Sequence, residues 1–289
     1  MQTIKITDEQ GVVKKVVLDG YVKRALDKEI ARQRAGFQII NIVTGLGGVG
    51  KSEMVKAMAY YQASVLGTPF SVDNIHFEAE GLTEALSTCP ELSVQILDES
   101  TKDFSTTASR TTDFAHLINY LNLCRVKKCC TYLILPDFFA LSKTLACFLS
   151  NLLFVVYDKL NERGYVLCYE RKAKNKLYHL GKRMSDYNVV MANFHASFQK
   201  CPNLIDDVEY DKRKIAYLAS QAHKQPKNTL GIGTLRERGR MNNILRYKEQ
   251  WPVEKRAKFF RVGVRTIQNV ETRYNKLCEI EGLDDDSTS

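Results

Sequence analysis

The chain is poor in the features that would place it outside ordinary globular proteins. None of its eight cysteines, Cys89, Cys124, Cys129, Cys130, Cys147, Cys168, Cys201 and Cys278, stands in a CxxC pair. That spacing argues against a zinc ribbon and leaves free thiols of a reducing compartment as the simpler reading. No internal repeat or low-complexity tract is present, which excludes solenoids and disordered linkers as the main architecture. The first residues, MQTIKITDEQ, lack a basic stretch followed by an apolar run, so no secretory signal is expected and a cytoplasmic location is. The most apolar window, Thr131–Tyr157, approaches the roughly 20 residues of a membrane span. It is broken by Pro136, Asp137, Ser142, Lys143, Ser150 and Asn151. The window therefore reads as strand, helix and strand inside a core, and no membrane span is expected.

What is there is a basic chain with uneven charge. The 289 residues carry a formal charge of +9. Residues 211–277 hold 17 Lys/Arg against 5 Asp/Glu, and residues 278–289 hold five acids and no base. The excess therefore belongs to the C-terminal region, and a polyanion, nucleic acid first, is the expected partner. A solvated basic helix surface would account for the charge alone.

Residues 1–34 read as a preface: TIKIT and VVKKVVL pair around Glu9-Gln10-Gly11, and Tyr21–Arg34 forms a charged helix. Apolar runs at Gln38–Thr44, Ser71–Phe77, Ser93–Leu97, Thr131–Leu135 and Leu152–Tyr157 read as strands. Helical spacing over Lys51–Leu66, Leu82–Ser87, Phe114–Val126 and Phe139–Leu149 separates them. Tyr165–Glu170 and Lys176–Leu180 read as a hairpin turned by Lys172–Asn175. Alternating strands and helices predict an α/β domain with a mainly parallel sheet flanked by helices. The pattern lapses over Asn193–Asp211. The expected division is a preface (1–34), an α/β domain (35–205), a basic linker (206–241) and a small helical unit with an acidic tail (242–289).

GLGGVGKS, Gly45–Ser52, fits the phosphate-loop pattern G-x-x-x-x-G-K-[ST] at every fixed position, after an apolar strand and before a helix. Gly45, Leu46, Gly47, Gly48, Val49 and Gly50 would cradle phosphate oxygens with backbone N–H groups. Lys51 would reach the β- and γ-phosphates, and Ser52 would ligate Mg²⁺. SVQILDES supplies the second half of such a site: Asp98 at a strand end to hold Mg²⁺, and Glu99 to polarise an attacking water. ATP and Mg²⁺ are the expected cofactors. ATP is preferred to GTP because no N-K-x-D guanine-reading motif is present.

These two motifs resemble the additional-strand, catalytic-glutamate class of P-loop ATPases, which includes the RecA-like, AAA+ and FtsK/HerA groups. The resemblance implies a RecA-like sheet with a strand between the two nucleotide-site strands and a polar sensor at its tip. TYLILPD, Thr131–Asp137, takes that place. FtsK/HerA-like enzymes usually have Gln at the tip and AAA+ proteins Asn, whereas this chain has Pro136-Asp137, so Asp137 is the candidate sensor. Over residues 36–200 the succession LDES, SRTTDF, LILPDFFALSK, RGYVLCYERK and NFHASF is similar to P-loop proteins of plasmids, viruses and other mobile elements, grouped with FtsK/HerA or Zot-like ATPases. The resemblance further implies a homo-oligomer, with a hexamer as one form open to it. A neighbouring subunit would then supply an arginine to the site, Arg110 first and Arg125 or Arg163 as alternatives.

VEKRAKFFRVGVRTIQNVETRY, Val253–Tyr274, has helix-turn-helix spacing. Ala257 is the small residue at the crossing, Val262-Gly263 the turn, and Trp251-Pro252 opens the unit. Arg261, Arg265, Thr266, Gln268, Asn269 and Arg273 would then face DNA. A plain helical hairpin is the alternative. Three functions remain open: a DNA-associated ATPase of a mobile element, a nucleotide-dependent DNA-binding regulator with slow turnover, and a small-molecule kinase. The last lacks an evident arginine-rich lid.

Overall fold

The computed structural model describes residues 1–7, 11–98, 118, 120–121, 124–159, 162–223, 250–259, 267–268 and 271–272. The chain divides into two compact units, Met1–Ser220 and Gln221–Ser289.

The first unit begins with strands β1 (Gln2–Thr7) and β2 (Val13–Leu18), an antiparallel pair in which Gln2 faces Leu18 and Thr7 faces Val13. Helix α1 (Gly20–Arg34) starts at Asp19, whose carboxylate accepts from the Tyr21 N–H at 2.8 Å. Its buried residues, Val22, Ala25, Leu26, Glu29, Ile30 and Gln33, form one helical stripe. Strand β3 (Ile39–Thr44) is buried throughout and leads to α2 (Lys51–Leu66), which Gly67 ends in the left-handed conformation. Then follow β4 (Ile75–His76), α3 (Ala79–Thr88), β5 (Val94–Asp98), β6 (Cys130–Leu135), β7 (Leu153–Lys159) and β8 (Glu162–Tyr169). Helix α4 (Arg171–Gly181), β9 (Phe194–Ser197) and α5 (Asp207–His223) complete the unit.

Seven strands form one sheet in the order β4-β5-β6-β3-β7-β8-β9. The first five run parallel, and β8 and β9 add on antiparallel. Both faces are covered, so the central strands are apolar on each side instead of alternating with polar residues. On one face Ile39, Val43, Ile96, Tyr132 and Phe154 pack with residues of α1 and α2 such as Leu26 and Met58. On the other, Ile42, Leu97, Leu133, Leu135 and Val155 pack with α3 and α4 through Leu82, Leu86 and Leu177. This is the α/β, mainly parallel architecture that the strand–helix alternation predicts. The apolar window at Thr131–Tyr157 resolves into β6, a π-type helix (Thr144–Leu149) and β7. Among the described residues no helix is long and apolar enough to cross a membrane.

The structure corrects three readings of local structure. The strand expected over Ser71–Phe77 is only β4, because Ser71 caps a 3₁₀ turn at Val72–Asn74 through a reciprocal pair with Asn74. The helix expected over Phe139–Leu149 is confined to Thr144–Leu149. Phe138, Phe139 and Leu141 are all buried, more neighbouring side chains than a single helical stripe hides. The segment Lys176–Leu180 is not a strand but part of α4. Its buried positions, Lys174, Leu177, Tyr178 and Gly181, follow a helical period, and β8 pairs with β7 and β9. The first compact unit runs past residue 205 to Ser220 and takes in most of α5, in the stretch that reads as linker. The preface likewise belongs to it, since Val16, Leu18 and Leu26 are core residues. The helix expected over Phe114–Val126 lies largely outside the described residues, as does the turn at Glu9-Gln10.

The second unit contains α6 (Val253–Phe259), preceded by Trp251-Pro252, with the Arg256 N–H donating to the Pro252 carbonyl at 3.1 Å. Lys255 sits over the Trp251 ring at 4.0 Å. The Arg256 guanidinium pairs with the Glu271 carboxylate, and Ile267 is buried.

Candidate functional site: the phosphate loop and the Asp98 carboxylate

Residues 45–50 join the C-terminal end of β3 to α2, and three glycines there take positive φ: Gly45 (145°), Gly48 (78°) and Gly50 (97°). Gly45 is needed twice over. A Cβ there would lie 2.1 Å from the Val156 carbonyl oxygen, and its φ is one that side-chain-bearing residues rarely adopt. Gly50 precedes the first residue of α2, so the loop delivers Lys51 and Ser52 into the helix's first turn, where free N–H groups and the helix dipole favour an anion. Lys51 Nζ donates to the Gly45 and Leu46 carbonyls at 2.8 and 2.7 Å. Val49 is buried in the core and anchors the loop from beneath.

Strand β6 lies between β3 and β5, hydrogen-bonded in parallel to both: Thr44 aligns with Leu135, and Asp98 with Ile134. This is the inserted strand that the resemblance implies. The register sets the C-terminal ends of all three strands side by side, at the edge where open parallel sheets bind ligands. There the Ser52 hydroxyl donates to the Asp98 carboxylate at 3.1 and 3.0 Å, although the two residues are 46 apart in sequence. A cleft of about 320 Å³ opens at this point, lined among others by Gly47, Gly50, Lys51, Ser52, Asp98 and Pro136. A hydroxyl and a carboxylate converging beside a phosphate loop are the hard oxygen donors that Mg²⁺ takes, and Mg²⁺ needs few protein ligands because it keeps waters and substrate phosphates. The residues present fit that ion.

Sequence reading missed the contribution of α5. Tyr210 donates its hydroxyl to Asp98 Oδ2, and Lys214 Nζ approaches the same oxygen at 3.2 Å. Both residues line the cleft. Burial, and then the Asp98 charge, push the Tyr210 phenol well above its ordinary range, so it stays a proton donor. The helix is fixed at several points. Lys56 Nζ pairs with Asp207 at 2.8 Å and with Glu53 at 2.6 Å. Burial opposes the Lys56 charge, but Asp207 and Glu53 outweigh it and raise its pKa. Arg213 reaches Asp73 at 2.9 Å, and the Phe77 ring stacks on Tyr217 at 5.7 Å. A helical spacing of four puts Tyr210 and Lys214 on one side of α5. That i, i+4 pair, one turn beyond an acidic start, was the signal available in the sequence.

Asp137 is not among the cleft residues. Its carboxylate accepts from the Phe139 N–H at 3.0 Å and the Tyr187 hydroxyl at 3.2 Å, fixing the turn after β6, while its neighbour Pro136 lines the cleft. One Asp137 carboxylate oxygen is thus taken by the turn's own Phe139 N–H and by the Tyr187 hydroxyl, and a sensor role for Asp137 stays a proposal. Arg125 lies at the other end of the sheet, beside Gln38 and Asn151. Glu99 and Arg110 lie outside the described residues. Of the DNA-facing candidates, Gln268 is exposed on a helical segment; Arg261, Arg265, Thr266, Asn269 and Arg273 lie outside the described residues.

The sheet order, the inserted strand and the glycine loop before α2 are the fold of P-loop nucleoside triphosphatases. No family model matches the chain, and no curated protein matches it in sequence. Among solved structures it is similar to the N-terminal domain of zonular occludens toxin from Neisseria meningitidis, at 14% identity and a TM-score of 0.41 over 58% of this chain and 97% of that one. It is also similar to the genome packaging NTPase B204 from Sulfolobus turreted icosahedral virus 2. The complex with AMP aligns at 13% identity and a TM-score of 0.34 over 48% of this chain and 95% of that one. The complex with ATP-gammaS aligns at 13% identity and a TM-score of 0.36, covering 47% and 94%.

Proposed function

We propose that the chain is a Mg²⁺-dependent ATPase that couples hydrolysis to a DNA transaction of a mobile genetic element. The observation that carries the nucleotide reading is the Ser52–Asp98 contact beside the glycine loop, which joins the two halves of a metal–phosphate site across the inserted strand. Lys51 and the loop would hold the β- and γ-phosphates, Ser52 and Asp98 the metal, and Glu99, the residue after Asp98, would orient the attacking water. Bound metal neutralises charge that develops on the phosphates. Tyr210 orients the Asp98 carboxylate by donating to one oxygen. Arg110 from a second copy would complete the charge stabilisation, which makes a homo-oligomer part of the proposal.

The DNA reading is supported by the basic excess of residues 211–277 and by helix α6 of the second unit. There the Arg256–Glu271 pair ties α6 to the segment that holds Ile267 and Gln268. That segment would be the recognition helix, with Arg261, Arg265, Thr266, Asn269 and Arg273 alongside Gln268.

The decisive experiment is steady-state ATP hydrolysis with and without duplex or single-stranded DNA, in wild type and Glu99→Gln. Turnover that DNA stimulates and that Glu99→Gln abolishes supports the proposal. Tight ATP binding with negligible turnover under every condition would refute it and favour a slow nucleotide switch. Deleting residues 242–289 should weaken DNA binding and flatten its salt dependence; unchanged affinity would reject the helix-turn-helix reading.

A further inference from the structure

At the end of the sheet opposite the phosphate loop there is a second cavity, also of about 320 Å³. Strand β3 separates the two: Gln38 and Ile40 line the far cavity, and Gly45 follows the strand's other end, about 20 Å away at strand rise. Three arginines on three different elements line it: Arg32 near the end of α1, Arg125 in the 3₁₀ turn Cys124–Lys127, and Arg171 at the start of α4. Among the described residues no acidic one lines it. The acid adjacent to Arg171, Glu170, is turned to Lys28 at 3.8 Å. Two phenylalanines of the rim, Phe37 and Phe148, are 56% and 61% exposed, and the Arg32 guanidinium lies over the Phe37 ring at 5.5 Å. The Gln38 Nε2 is buried and makes no hydrogen bond within the described residues.

Isolated surface arginines explain themselves as solvated charges, but three converging on one concavity repel one another, and none of the described lining residues carries an opposite charge. Guanidinium and amide donors around an acid-free hollow select an anion with several oxygens. Exposed aromatic rings on the same rim add a surface for a planar base. We infer that this cavity holds a segment of single-stranded nucleic acid, its phosphates on Arg32, Arg125 and Arg171 and an unpaired base against Phe37 or Phe148. The inference is independent of hydrolysis, so its failure leaves the nucleotide site untouched.

The test uses the full chain and a labelled homopolymeric single-stranded oligonucleotide, with affinity read by fluorescence anisotropy over a salt series. Arg125→Ala/Arg171→Ala should bind at least about tenfold more weakly, with a salt slope shallower by about 1.4 for two lost phosphate contacts. Phe148→Ala should weaken binding and leave the slope unchanged. Lys172→Ala, on the exposed side of α4, should change neither beyond one ordinary charge. Duplex DNA and free mononucleotide serve as competitors. Unchanged affinity and slope in the double variant would overturn the inference, as would displacement by mononucleotide as readily as by the oligonucleotide.

A different observation carries a second inference, which rests on the proposed metal site. The Asp98 carboxylate, itself 1% exposed, receives the Ser52 hydroxyl, the Tyr210 hydroxyl and the Lys214 ammonium. An ammonium 3.2 Å from the oxygen that a divalent cation would use cannot share it without strong repulsion. Lys214 also lines the cleft that the phosphate loop encloses. The geometry points to Lys214 as a placeholder for the metal, whose ammonium leaves Asp98 when the metal arrives and moves to the phosphates in the same cleft.

Two binding measurements then move in opposite directions in Lys214→Ala. Mn²⁺ alone, titrated by electron paramagnetic resonance without nucleotide, should bind at least about tenfold tighter than to wild type. The affinity for a non-hydrolysable ATP analogue with Mg²⁺ should fall. Lys214→Arg should behave as wild type in the first measurement. A residue that merely holds the helix in place would weaken both, and that result, or unchanged Mn²⁺ affinity, would overturn the inference. If neither wild type nor variant binds Mn²⁺ and Asp98→Asn changes nothing, the metal-site reading itself fails.

Discussion

The Tyr210 hydroxyl donates to the Asp98 carboxylate across 112 residues of sequence, joining a helix from the basic C-terminal half to the end of β5. A buried carboxylate that loses a donor is left with an unmet demand, and a hydrogen bond to a charged group contributes about 1.5–3 kcal/mol. Tyr210→Phe keeps the ring against Phe77, 5.9 Å between centroids, and removes only the hydroxyl. We expect a loss of stability of about 1–3 kcal/mol in chemical denaturation, with an unchanged dependence on denaturant. A wild-type midpoint would contradict the assignment of this bond.

Gly45 stands where β3 and β7 leave no room for a side chain. In Gly45→Ala the methyl group must push aside the Val156 carbonyl or rotate the loop. Nucleotide affinity should fall at least tenfold together with the melting temperature. Gly47, which has open space around its Cα, is the control. Gly47→Ala should melt like wild type, and equal destabilisation of the two variants would refute the steric argument.

Glu29 is wholly buried on α1, where its carboxyl group accepts from Asn41 at 2.6 Å. Burial pushes its pKa up from 4.5 to about 8. The folded state therefore prefers the protonated form. Its contribution to stability is complete below pH 4.5 and declines as pH rises through 8. Glu29→Gln removes the titration. It should flatten stability between pH 5 and about 8 and be the more stable protein above that range. Parallel pH profiles for wild type and variant would show that Glu29 does not titrate in this window.

Cys89 and Cys129 place their sulfurs 3.5 Å apart. The Cys129 thiol hydrogen bond lowers the Cys89 pKa to about 6, whereas Cys130 and Cys168 are raised by burial. Half-buried Cys89 should thus react first with iodoacetamide at pH 7, with a rate that levels off near neutral pH. Peptide mapping that finds another described cysteine alkylated first would contradict this.

Much of the candidate nucleotide site was legible because its signals are local. The glycine loop, the strand before it and the helix after it lie within 28 residues of each other, and each imposes its own pattern on neighbouring positions. Asp98 stood out because a carboxylate ends an apolar run. Lys176–Leu180 misled because alternating Lys, Tyr and Leu also satisfy a strand's period. Only the burial of Lys174 and Tyr178, the latter donating to the Leu141 carbonyl at 2.7 Å, makes it a helix. Asp137 is ambiguous in sequence because a polar residue at a strand tip can face a ligand or close its own turn.

The sequence alone determined the glycine loop and helix start proposed to hold phosphate, since curling a loop and starting a helix depend on residues adjacent in the chain. Tertiary structure decided which strand separates Thr44 from Asp98, that α5 brings Tyr210 and Lys214 to that carboxylate, and that Arg32, Arg125 and Arg171 share one cavity. Those contacts join segments up to 139 residues apart, and they exist only because burying two apolar faces of one sheet draws the segments together.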